Sequence, residues 1–362
     1  MNHLKSNWYI SIALVVSVVS IIVFNVNNDF MFKDLTMSWT ATHYAINYID
    51  FGFVKRGLIG SFYKIINGSF SQESLFLFQF SFIILLVFVT HFLFLKFNLN
   101  NRFVYIVFIL SPATFMQFGS DFGRFDPILV SIFMLSIIYR SNSFVFIIFS
   151  ILGILTHEIY IFALLPAAFI LYLLERNSLV SFKDIVIGVI KSRDFYILIA
   201  SIILIISMGY YELGYEKILD TFSQSKLPPS YIEFYKGWSN VHIWTSSISD
   251  NLSFASQRLS LTVDTVYMIF IYLIMLVYLH VIGVDFKKPK YYIILVSSFP
   301  MFFLGTDWAR WLAFIYVSIF LIFITTEGCK AKNISNKSIL IFSLYGPLGV
   351  GGYLPPLLDK IF

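Results

Sequence analysis

The chain has 362 residues, 58% of them hydrophobic and 12% charged, with 42 Phe, a formal net charge of +5 and a mean hydropathy of +0.81. That balance excludes an ordinary soluble globular domain and implies a polytopic membrane protein. The lone cysteine, Cys329, excludes an intramolecular disulfide and a cysteine metal cluster, and apolar runs that are continuous instead of alternating exclude a β-barrel.

In chain order, the first apolar run, Trp8 to Phe24, follows a short segment with one lysine and has no small-residue cleavage site after it, so it reads as a retained first span. Further spans follow at roughly 74 to 95, 103 to 118, 127 to 139, 143 to 156, 159 to 174, 195 to 209, 265 to 283, 291 to 304, 312 to 326 and 339 to 356. The expectation is therefore an all-α transmembrane bundle of about 11 spans, forming a single integral membrane domain over 1–362. Two long loops, 25–73 and 210–264, are rich in aromatics and suit surface helices.

Charge sets the orientation. With the N-terminus cytoplasmic, that terminus and the short inner loops together hold 14 of the 25 basic residues, as the positive-inside rule expects. By the same topology, 15 of the 20 acids lie on the outer face, so the polar chemistry is expected there. Several spans are shorter than the roughly 20 residues a crossing needs, which predicts recessed outer turns lining a bowl.

Four polar clusters fall on that face. In "DFGFVKRGLIG" (50 to 60), Lys55 and Arg56 sit between apolar residues, with Asp50 upstream; they read as a phosphate clamp or as an interfacial basic helix. In "GSDFGRFDP" (119 to 127), Asp126 suits an N-cap and Pro127 a first turn, which leaves Asp121 and Arg124 either paired together or meeting a substrate. In "THE" (156 to 158), Glu158 in a low-dielectric vestibule is expected to have a raised pKa and to serve as a proton acceptor, and His157 to do so near neutral pH; the other reading is a helix-end pair bonded to backbone. "TDWARW" (306 to 311) repeats the acid-to-arginine spacing with Asp307 and Arg310, and Trp308 suits an interfacial belt or a sugar ring. His43, His242 and the pair Tyr210-Tyr211 are weaker candidates on outer loops, and no metal-ligand spacing is present.

Many short-looped spans, two long outer loops and the stretches "FGFVKRGLIG", "GRFDP", "HE" and "DWARW" on one face resemble the bacterial O-antigen and capsular polysaccharide polymerases of the Wzy type. The resemblance implies a glycosyltransferase of polysaccharide and lipopolysaccharide biosynthesis in the bacterial inner membrane. It would move a glycan from undecaprenyl pyrophosphate to the non-reducing end of the next lipid-linked repeat unit, on the periplasmic face, with no cofactor. It also implies a pyrophosphate-binding role for Arg56, Arg124 and Arg310; the residues themselves add Lys55 to that clamp, Glu158 or His157 as the catalytic base, and Asp50, Asp121, Asp307 and Trp308 to orient the arginines or sugar. The expected partners are the undecaprenyl-pyrophosphate-linked oligosaccharide, membrane lipids and a chain-length regulator protein, and no nucleic acid. The second long loop carries only Arg258, so an arginine-rich motif there is missing. The rivals are another polyprenyl-phosphate-dependent glycosyltransferase or ligase, told apart by a single added sugar in place of a ladder, and a lipid-linked oligosaccharide flippase or transporter, for which repeated halves would be expected.

Overall fold

The structure is a computed structural model and describes residues 8–25, 38–97, 102–176, 181–209, 215–224, 226, 249–250, 252–253, 256, 263–304, 307–327 and 347–348. It is all-helical, with no strand among the described residues. The helices that carry the bundle are α1 (Trp8–Asn25), α2 (Ser38–Ala45), α3 (Tyr48–Phe51), α4 (Gly57–Asn67), α5 (Gln72–Lys96), α6 (Arg102–Ile109), α7 (Phe115–Ser120), α8 (Asp126–Ile138) and α9 (Ser143–Thr156). They continue with α10 (Ile159–Ala163), α11 (Leu165–Arg176), α12 (Phe182–Lys191), α13 (Arg193–Gly209), α14 (Tyr215–Ser223), α15 (Val263–Ile282), α16 (Pro289–Ser298), α17 (Met301–Leu304) and α18 (Trp308–Glu327). Ten of the expected spans coincide with helix; the run 339 to 356 apart from 347–348, like His242, Tyr210 and Tyr211, lies outside the described residues.

Local chemistry explains the boundaries. Ser71 and Asn142 cap α5 and α9 by accepting from the backbone N–H of Ser74 and Val145. Three expected spans are each split, and each contains a proline. Pro112 separates α6 from α7, Pro166 sits just after the break between α10 and α11, and Pro300 separates α16 from α17. Proline removes a backbone donor and clashes with the preceding turn, so carbonyls are left over that an apolar interior cannot leave bare. At the second break the Ser298 hydroxyl donates to the Phe162 carbonyl at 3.3 Å and the Ser318 hydroxyl to the Ala163 carbonyl at 2.8 Å.

The core is centred on α18, almost every residue of which is buried. Around it α1 packs on α7, α5 on α8, α8 on α9, α9 on α13, and α16 on both α11 and α18. Close crossings rely on glycine: a Cβ on Gly60 of α4 would lie 1.9 Å from the Ile46 carbonyl oxygen, so no side chain fits there. Among the described residues two helices, Gln72–Lys96 and Trp308–Glu327, are long and apolar enough to cross a membrane. Large apolar side chains also stand outward on α1, α5, α9, α13, α15 and α16, among them Val15, Phe88, Phe144, Ile203, Val277 and Val296.

Polar groups collect at the two ends. At one end Arg140 meets Glu175 at 2.8 Å, and Glu327 gathers Lys288, Lys290 and the Tyr291 hydroxyl. The opposite end, one length of α18 away or about 30 Å, holds the loops before α8 and α18 and the turn after α9.

Candidate functional site

Four segments far apart in sequence meet at that second end. Arg310, one turn into α18 and 3% exposed, reaches across to the first residue of α8: its Nε donates to Asp126 Oδ2 at 2.8 Å and its Nη2 to Asp126 Oδ1 at 2.5 Å. Its Nη1 donates to Asp307 Oδ2 at 2.5 Å, and Asp121 Oδ2 lies 3.6 Å from its Nε. Arg124 donates from Nε to Asp121 Oδ1 at 2.9 Å and from Nη1 to Asp307 Oδ2 at 3.0 Å. Asp307 therefore bridges the two arginines. Arg56 stands near enough for its charge to act on Asp307 and forks through Nε and Nη2 onto Glu158, whose other neighbour is His157, with Nδ1 3.3 Å from Oε2.

Two backbone features hold this geometry. Arg56 precedes α4 with a φ of 60°, the one positive φ outside glycine among the described residues. That conformation costs an arginine about 1–2 kcal/mol. Gly123 has a φ of 95°, and a Cβ there would meet Thr40 Oγ1 at 2.8 Å and Gln79 Nε2 at 2.9 Å. The carbonyl of Gly123 accepts from the Tyr44 hydroxyl at 2.8 Å. The loop bearing Arg124 is thus clamped between α2 and α5.

The arginines lie deep with Asp121 and Asp126, while the other two carboxylates face out. Side-chain exposure is 11% for both Arg56 and Arg124, against 47% for Glu158 and 32% for Asp307. Four cations, counting Lys55, whose charge acts on Glu158, stand against four carboxylates, so the cluster is balanced. Partial burial alone would raise Glu158, but Arg56 and then His157 outweigh it and hold the carboxyl well below its usual range. The expected raised pKa of Glu158 is therefore reversed, because the sequence does not show that Arg56 lies against it. Burial, then the charge of Arg56, lowers His157, which stays neutral. Its Nδ1 accepts the Ile159 N–H at 3.1 Å, which leaves the ring proton on Nε2.

Asp307 is also held below the carboxylate range: burial pushes it up, but Arg124 and Arg310 pull it down further. Asp121 moves the other way, raised by burial to about 6 despite both arginines, so it is still ionised at neutral pH. The signs fix a pH profile. Glu158 and Asp307 contribute stability that is present above their unfolded values of 4.5 and 3.8 and is lost as pH falls below them. Asp121 contributes stability that is present below 3.8 and is lost as pH rises through about 6. His43 and His157, neutral in the fold, add stability that is lost as pH falls below 6.5, and together they outweigh Asp121; the thermal midpoint of the full chain in detergent should therefore climb from about pH 4 to about 6.5 and then level off, and a midpoint that falls between about pH 5 and 6.5 would contradict the arrangement.

Several expected roles change. Asp126 does not cap α8, which starts after Phe125 with no side-chain cap; its carboxylate is spent on Arg310, while Pro127 takes its expected place in the first turn. Asp50 does not join the arginines. Lys64 and Asn47 bind it instead and hold its pKa down against the effect of burial. Asp50 lies on a neighbouring cleft of about 380 Å³, with Phe51, Phe70, Lys217 and Asp220 also on its walls. Tyr44 separates the two places, lining the cleft and bonding the Arg124 loop. Trp308 is 5% exposed and packs into the core, so it offers no open ring face to a sugar. His43, a lone loop histidine by sequence, is buried edge-on to the Phe125 ring at 5.4 Å and kept neutral by burial and by Arg56, Arg124, His157 and Arg310. Among the described residues no group of three His, Cys, Asp or Glu side chains is arranged to hold a metal. Compared with protein-family models, curated proteins and solved structures, the chain matches none.

Proposed function

We propose that the chain is a membrane glycosyltransferase that polymerises lipid-linked repeat units, moving a glycan from undecaprenyl pyrophosphate onto the next unit's non-reducing end. The observation that carries this reading is the convergence of Arg56, Arg124 and Arg310 with Glu158 at one end of an apolar bundle. The outward apolar side chains of six helices support a many-spanned bundle in lipid, since soluble monomers seldom expose so much. In this reading the bundle crosses the bacterial inner membrane about eleven times, with the cluster on the periplasmic face.

Glu158 and Asp307, the accessible acids, occupy the arginines until the substrate arrives. The pyrophosphate replaces Glu158 at Arg56 and Asp307 at Arg124, because forked guanidinium donors suit phosphate oxygens as well as carboxylates. Freed from Arg56, Glu158 rises toward a useful pKa and takes the proton of the acceptor hydroxyl as that oxygen bonds to the anomeric carbon. The bond from that carbon to the pyrophosphate oxygen breaks, and its electron pair leaves with the phosphate, neutralised by the arginines. His157, neutral with Nδ1 engaged, serves through its Nε2–H as a donor that orients the sugar. Asp126 and Asp121 hold Arg310 and Arg124 from behind. The cleft beside Tyr44 offers carboxylates, an amide and aromatic edges to the glycan.

The test is product length in cells that lack their own copy of the gene. Arg124→Ala or Glu158→Ala should leave single repeat units on the lipid, with the protein present at normal level. Long polymer surviving both changes would sink the assignment, and one added sugar from the unaltered chain would mean a single-sugar transferase.

A further inference from the structure

At the opposite end of the bundle, α12 is started by a capping box in which the Ser181 hydroxyl accepts the Asp184 N–H and the Asp184 carboxylate accepts the Ser181 N–H. The helix is amphipathic. Ile185 is buried, while Phe182, Val186 and Ile190 face outward, continuous in sequence with the outward Tyr196, Ile203 and Leu204 of α13. Between α12, the start of α13 and the end of α11 lies a cleft of about 800 Å³.

Its floor carries an unmet need. Asp194 is 7% exposed, and its Oδ2 accepts the Tyr172 hydroxyl. Its Oδ1 has no hydrogen-bond donor among the described residues; Arg193 Nε stands 3.7 Å away. A buried carboxylate oxygen without a donor is costly, and its place on the cleft wall points to an N–H from outside the chain. The rim is cationic: Lys191 and Arg193 are exposed and close in sequence to the buried acid. Arg176 forms a wall, since it is already spent on the carbonyls of Arg140 and Ser141 and stacked 3.8 Å over the Tyr172 ring.

An acid floor, a basic rim and an apolar flank call for one molecule that carries an N–H cation, a phosphate and hydrocarbon in that order. We infer that this cleft binds the headgroup of an amine-bearing phospholipid, with its ammonium on Asp194 Oδ1, its phosphate on Lys191 and Arg193, and its acyl chains along α12 and α13. A choline headgroup has the same charges and no N–H, so it fits the rim but not the floor.

The test is native mass spectrometry of the full chain in detergent, titrated with phosphatidylethanolamine and phosphatidylcholine of identical chains. The unaltered protein should prefer ethanolamine by about tenfold, the worth of one charge-assisted hydrogen bond. Asp194→Asn, which keeps an oxygen for Tyr172, should reduce the preference to near parity, and Lys191→Gln with Arg193→Gln should weaken both lipids while keeping their order. Equal retention by the unaltered protein, or an unchanged preference in Asp194→Asn, would overturn the inference. Glycerophosphoethanolamine should not displace the lipid at equal concentration; displacement would assign the cleft to a soluble ligand and also overturn it. If Asp194→Asn does not fold, the unaltered protein and the exposed rim variant decide the matter.

Discussion

Arg310→Ala is expected to destabilise the bundle by about 3–5 kcal/mol, the cost of leaving a buried ion-pair partner alone. The stranded group is chiefly Asp126, 2% exposed at the start of α8, whose two oxygens both receive Arg310 donors. Asp121 and Asp307 would also lose a neighbouring cation. Such a loss is a large part of a domain's stability, so the variant should be recovered poorly from membranes and melt early in detergent. Arg310→Met combined with Asp126→Leu should recover most of the stability, because a buried pair replaced by apolar side chains of similar size is often neutral. It should not recover polymer formation, since Asp307 and Arg124 would be left without the third arginine. A double variant that polymerises normally would reduce Arg310 to a structural strut.

Glu158→Gln is expected to lower turnover by about 10²- to 10⁴-fold, the usual contribution of a general base, while changing the thermal midpoint little. The two outcomes separate because Glu158 is nearly half exposed, and an exposed pair with Arg56 is worth little in stability. Arg310 and Glu158 thus bracket the cluster, one deep and holding the fold, the other shallow and, in the proposed mechanism, the base. Arg56→Lys should resemble Glu158→Gln in stability and retain a trace of activity, since an ammonium keeps the charge but loses the fork.

The four charged stretches that meet in the structure are visible in the sequence because charge is expensive in an apolar chain and therefore conspicuous. Which charge meets which was less visible. Asp126 looked like a helix cap because Pro127 follows it, and that local pattern concealed a partner 184 residues away. Asp50 seemed to belong with Arg56 by nearness, yet α4 carries Lys64 back to it while the chain turns through a left-handed residue at Arg56. That turn is not written in a motif, since a glycine follows Arg56 instead of occupying the strained position. Trp308 was misjudged because α18 is buried on all sides, so no helix face was left for a ligand. His43 gave no signal as a single loop histidine; only the packing of α2 against the Phe125 loop brings it to the arginines. The spans 103 to 118, 159 to 174 and 291 to 304 were read as continuous, although Pro112, Pro166 and Pro300 stand in the sequence beside the breaks.

In the proposed mechanism, lipid pyrophosphate takes the place of Glu158 at Arg56. That exchange is tested most directly by the Kd of the full, purified chain for undecaprenyl pyrophosphate in detergent, measured on the unaltered protein, Glu158→Gln and Arg56→Gln. Removing the competing carboxylate should tighten binding by about tenfold in Glu158→Gln even as turnover is lost, and removing the guanidinium should weaken it by about the same factor in Arg56→Gln. Weaker binding in Glu158→Gln, or equal binding in all three, would contradict the exchange and leave the Arg56–Glu158 pair as a structural clasp.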